Sequence, residues 1–126
     1  MSYAFLVDGM SADYAYKVDV EEFVRAFNAR WPKSQLRSSE YSSYPIRWEV
    51  QIGDSFVIGG LHSDCVALSL EGDLAGASDI AIWYRSLIPK EHKLFFYTGA
   101  RINNPIELDD QNTSQELIDA FNNANT

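Results

Sequence analysis

Residues 46–52 alternate without a break: Ile46, Trp48, Val50 and Ile52 are apolar, and Arg47, Glu49 and Gln51 between them are polar. A period of two places the apolar set on one face of a strand and the polar set on the other. Gly53-Asp54 follows directly, a two-residue hairpin signal of the type that needs glycine first. The chain is therefore expected to turn back into a second strand at Ser55–Leu61, with Gly59-Gly60 marking a bulge or a close backbone approach. After a turn at His62-Ser63-Asp64, Val66, Leu68 and Leu70 alternate with Ala67 and Ser69 as a third meander strand. Sequential hairpins of this kind commit the chain to antiparallel pairing.

The remaining elements fit around that meander. Tyr3–Val7 is a continuous apolar run bounded by Asp8-Gly9, which suits a strand covered on both faces. Val20, Phe23, Val24, Phe27 and Trp31 form one helical stripe, with Asp19 as N-cap, Glu21 and Glu22 at the positive end of the dipole, and Pro32 as the stop. Residues 34–45 have no sustained period and read as a loop. Leu74, Ala77, Ala81, Tyr84 and Ile88 lie on a second stripe, widened by Ile80, Trp83 and Leu87, which predicts a helix lying deep against the sheet and ending at Pro89. Leu94–Thr98 reads as a strand, and Ile106 with Leu108 as a short one after the turn Asn103-Asn104-Pro105. Thr113-x-x-Glu116 is a capping box ahead of a C-terminal helix through Leu117, Ile118 and Phe121. The predicted order is β-α-β-β-β-α-β-β-α. It implies an α+β fold with an antiparallel or mixed sheet and helices packed on one face. No linker interrupts residues 1–126, so a single domain is expected.

Reactive motifs are sparse. His62-x-x-Cys65 is the one close pairing of soft metal ligands, and nothing nearby completes it, so a turn histidine and a core-facing strand cysteine are expected and no metal. His62-Ser63-Asp64 holds the residue types of a hydrolase triad, but contiguous neighbours cannot converge in those roles. The glycines form neither a dinucleotide fingerprint nor a phosphate loop, and no cofactor is implied. Trp31, Trp48 and Trp83 fall on apolar stripes and read as core. The single cysteine suits a reducing compartment, and the N-terminal apolar run is too short for a signal or a span, which points to a soluble cytoplasmic protein with no membrane contact.

Charge gives the functional direction. Residues 64–126 carry 10 Asp and Glu against 4 Lys and Arg, whereas residues 1–63 carry 8 against 6. Such a field attracts cationic partners and repels nucleic acid. Arg25, Arg30, Lys33, Arg37 and Arg47 make the first half locally basic, but interspersed carboxylates argue against nucleic-acid binding. The carboxylate pairs Glu21/Glu22 and Glu71 with Asp73 sit where helix starts favour negative charge. The segment Ser34–Pro45 combines Tyr41 and Tyr44 with five serines, Arg37 and Glu40, a composition like that of protein-binding loops, although a solvated loop would look the same.

Residues 73–98 carry a resemblance. They hold a helix ending Ile82-Trp83-Tyr84-Arg85-Ser86-Leu87-Ile88-Pro89 and then the apolar strand Leu94-Phe95-Phe96-Tyr97-Thr98; a short acidic helix follows near the end of the chain. The pattern resembles small bacterial immunity proteins that accompany polymorphic toxins, including contact-dependent inhibition and type VI secretion effectors. These families share no common fold or inhibitory motif, so the resemblance implies a class and no residue roles. That class is a cytoplasmic antitoxin that binds one cognate toxin domain, a protein with a basic surface such as a nuclease. On that expectation the contact residues are Glu40, Tyr41, Tyr44, Asp54, Asp64, Glu71 and Asp73. The competing expectation is a small enzyme or ligand-binding domain with a site assembled from His62, Asp64, Tyr84 and Arg85. A decoy that imitates DNA would need carboxylates at phosphate-like intervals along one face, and the charges are too scattered along the chain for that.

Overall fold

A computed structural model of the chain describes residues 3–9, 16–38, 45–98, 105–109 and 113–124. Its elements run β1 (Tyr3–Asp8), α1 (Val20–Arg30), β2 (Gln35–Ser38), β3 (Ile46–Ile52), β4 (Ser55–Leu61), β5 (Leu68–Gly72), α2 (Leu74–Leu87), β6 (Phe95–Thr98), β7 (Ile106–Glu107) and α3 (Ser114–Ala124). The strands form one seven-stranded sheet in the order β2-β3-β4-β5-β1-β6-β7, and every neighbouring pair is antiparallel. The fold is α+β, as the meander implies, with one strand more than the sequence pattern gives. No helix among the described residues is long and apolar enough to cross a membrane.

The β3–β4 hairpin forms where the alternation places it. Ile52 pairs with Ser55 across Gly53-Asp54, and Gly53 takes a φ of 60°, the backbone region that favours glycine. Pairing continues in register through Gly59, so there is no bulge there. Gly59 instead marks a close approach: a Cβ would lie 2.7 Å from the Ser69 carbonyl oxygen and 2.8 Å from the Trp48 ring.

The helices α1, α2 and α3 lie on one face. Phe23 and Phe27 of α1 pack on Trp48 at centroid distances of 5.6 and 4.9 Å, and Trp83 of α2 closes the cluster on Phe23 at 5.5 Å. Ala77, Ile80, Ala81 and Tyr84 of α2 are buried, and Phe121 of α3 meets Phe5 and Phe96 at 5.7 and 5.8 Å. The core is therefore a layer between the helices and the inward set of the sheet: Phe5, Val7, Trp48, Val50, Val57, Leu61, Leu68, Leu70 and Phe96. Helix ends are capped as their residues dictate. Asp19 accepts from the Glu22 amide, Asp73 from the Gly76 amide, and Thr113 and Glu116 exchange reciprocal bonds.

Three expectations change. The apolar run at Tyr3–Val7 predicts a strand covered on both faces, but β1 leaves Ala4 exposed and Leu6 half-buried. The absence of a period in residues 34–45 predicts loop throughout, but Gln35–Ser38 is the edge strand β2, paired with β3. An edge strand with only Leu36 partly covered has no apolar alternation to reveal it. Cys65 is no core-facing strand residue. It sits in the β4–β5 turn with a φ of 60° and is half-buried, while β5 begins only at Leu68.

Candidate functional site

The face of the sheet opposite the helices is the unusual surface of this molecule. Its residues follow from the register. One row across the strands reads Gln35, Glu49, Ile58, Glu71 and Ala4, on β2, β3, β4, β5 and β1. The next row, two residues along each strand, reads Arg37, Arg47, Gly60, Ser69 and Leu6. Phe56, two residues before Ile58 on β4, is 53% exposed, and Ile58 is 37% exposed; among the described residues these are the large apolar side chains left open to solvent.

Between the rows lies a groove of about 420 Å³. Gly60, Ala4 and Ser69 leave its floor low, Ile58 and Leu6 supply apolar walls, and Arg47 and Glu71 stand at its rim. Its size is within the range of small-ligand or side-chain pockets. Glu49 and Glu71 flank Ile58 on neighbouring strands, both exposed, and neither enters a hydrogen bond or ion pair with another described residue. Beside β3, a second cleft of about 410 Å³ is lined by Arg30, Lys33, Ser34 and Gln51. The cations at that end of the sheet match the locally basic first half of the sequence.

The residues expected to contact a partner fall into three groups. Glu40, Tyr41 and Tyr44 lie outside the described residues. Asp64 and Asp73 are exposed but already hold structure. Asp64 Oδ1 accepts from the Val66 and Ala67 amides, both at 2.9 Å, while Asp73 caps α2 and its Oδ2 accepts from the Ser55 hydroxyl at 2.9 Å. Asp54, at the hairpin tip, and Glu71, at the groove rim, keep exposed carboxylates. Sequence reasoning passes over Glu49, Phe56 and Ile58. The available signal is the run Phe56-Val57-Ile58: with Val57 inward, its neighbours must point outward.

The residues of the competing enzyme expectation are tied into separate supports. Tyr84 is fully buried and donates its hydroxyl to the Val66 carbonyl at 2.6 Å, so Tyr84 and Asp64 both hold the β4–β5 turn. Arg85, only 5% exposed, donates from Nη1 to the Ile88 carbonyl at 2.8 Å and from Nη2 to the Lys90 carbonyl at 3.3 Å, placing a cation at the negative end of α2. His62 is different. Its Nε2 lies 2.7 Å from Ser69 Oγ, and Ser69 lines the groove. The serine partner of His62 is thus across the strand pair, not next to it in sequence.

On the same side of the sheet, where β6 pairs with β1, Tyr97 is only 5% exposed and donates its hydroxyl to Asp8 Oδ2 at 2.6 Å. Burial pushes the Tyr97 phenol well above its ordinary value, and the hydrogen bond to Asp8 and the charge of that carboxylate push it the same way. No group of three or more metal-ligating side chains comes together among the described residues. No protein family, curated protein or solved structure matches the chain.

Proposed function

We propose that this protein is an immunity protein that neutralises a toxin domain with a basic surface, acting by direct binding and in the cytoplasm. The observation that carries the reading is the row Glu49, Ile58, Glu71: an exposed apolar anchor held between two carboxylates on adjacent strands. Interfaces concentrate their energy in such anchors, ringed by polar groups that set register and exclude water. The net charge of −8 carried by the whole chain speeds encounter with a cationic partner, which suits a protector that must outpace a lethal enzyme. The resemblance of residues 73–98 to immunity proteins points the same way. The test is co-expression with the product of the neighbouring gene. Growth rescue and co-purification are expected, with an association rate that falls as salt rises and falls further in Glu71→Lys; a toxin unaffected by the wild-type protein would reject the reading.

A second reading, a small hydrolytic or ligand-binding domain, is favoured by the His62–Ser69 contact at the groove. A fluorophosphonate probe separates the two. Stoichiometric labelling of Ser69 that is lost in His62→Ala supports the enzyme.

A further inference from the structure

We infer that the open sheet face is complementary to itself, and that the protein without its partner is a homodimer joined through it. The inference goes beyond the toxin-binding reading and is independent of it. It rests on the two rows described above, which lie about 7 Å apart because successive same-face residues on a strand are separated by two rises.

Consider a twofold axis in the plane between two facing sheets, running across the strands midway between the rows. A half turn about it lays each strand over its own copy with the direction reversed, and each row over the other. Arg47 then faces Glu49 of the second copy, and Glu49 faces its Arg47. On β4, Ile58 faces Gly60, so the exposed apolar knob of each copy enters the groove that the missing side chain leaves in the other. On β5, Glu71 faces Ser69; on β1, Ala4 faces Leu6; on the edge strand β2, the neutral amide of Gln35 faces Arg37. From β3 to β1, every long side chain in one row meets a short or oppositely charged one in the other. Among the described residues of the two rows no like-charge pair is created, and sheets stacked this way keep the usual separation of about 10 Å.

The same register explains why both rows are needed. A face of only carboxylates would repel its copy, and a flat apolar face would specify no alignment. Here the alternation Arg47, Glu49 on one strand fixes the axis, and Ile58 with Gly60 on the next fixes the seating. Five strands about 4.8 Å apart, covered over about 20 Å of their length, give a footprint on the order of 500 Å² per copy, at the small end of specific interfaces. The dimer is accordingly concentration-dependent. The toxin domain is proposed to use this same face, so self-association and partner binding exclude one another.

Sedimentation equilibrium tests this directly, from micromolar to several hundred micromolar protein. The wild-type chain is expected to shift from monomer to dimer across that range. Arg47→Glu sets carboxylate against carboxylate across the axis, and Glu49→Arg sets guanidinium against guanidinium. Each single variant is therefore expected to stay monomeric. Both positions are exposed, so circular dichroism should show an unchanged fold. The double variant R47E/E49R restores both pairs and should dimerise again, and an equimolar mixture of the two single variants should form a heterodimer. A monomeric wild-type protein at the highest concentration overturns the inference. So does a dimer that survives both single variants, because it must use another surface. A monomeric protein that still neutralises its toxin removes the dimer and leaves the toxin-binding reading intact, whereas a dimer without neutralisation does the reverse.

Discussion

The two faces of this sheet are built from the same strands and serve opposite ends. On the helix side the layer is filled by large residues, with Trp48, Phe23, Phe27, Trp83 and Phe96 in edge and tilted ring contacts. On the open side the strands carry Ala4, Gly60 and Ser69 beside charged residues, so the surface is low in the middle and polarised at its edges. The sheet needs one filled face to be stable and has no such need of the other. That other face leaves Glu49, Ile58 and Glu71 exposed to solvent.

Substitutions on the two faces should separate stability from binding. The largest effect is expected for Trp48→Ala, which empties a fully buried site and should lower unfolding free energy by about 3–5 kcal/mol in a urea titration. Phe56→Ala, the same kind of truncation on the open face, should change it by less than about 1 kcal/mol. Equal losses at both positions would mean that the open face is also core.

Next in size is Asp73→Ala. It removes the N-cap of α2 and the acceptor of the Ser55 hydroxyl, and should cost about 1–2 kcal/mol. Asp54→Ala, at the hairpin tip, should leave stability unchanged. That contrast would sharpen the division between carboxylates that hold the fold and those left for a partner.

Cys65→Gly should raise stability by up to about 1 kcal/mol, because glycine adopts a φ of 60° without the Cβ clash that cysteine meets there. The smallest expected effect is a pH slope. Tyr97 holds its proton more tightly when folded, so its contribution is fully present below the unfolded tyrosine value of about 10 and is lost as pH rises above it. Tyr97→Phe should flatten the fall in thermal stability above that pH. An identical alkaline fall in both proteins would assign it to other groups.

Much of the fold is legible because the covered face writes itself into the sequence. The period of two at 46–52, the helical stripes after Asp19 and Asp73, and the capping box at Thr113 all mark residues that must be buried or capped. The edge strand β2 is not legible, since its burial follows no alternation. The open face is hidden for the same reason: solvent imposes no period on Phe56, Ile58, Glu49 and Glu71, and only cross-strand register brings them together. Asp64 and Asp73 draw attention as charges, yet their turn positions give them backbone duties first.

The central claim is that this molecule works through its uncovered sheet face and not through a reactive side chain. Neutralisation by Ile58→Asp and by His62→Ala, each confirmed folded, measures that most directly in cells carrying the cognate toxin. Loss of protection in Ile58→Asp with full protection in His62→Ala is the predicted result. Full protection in Ile58→Asp with loss in His62→Ala would contradict it.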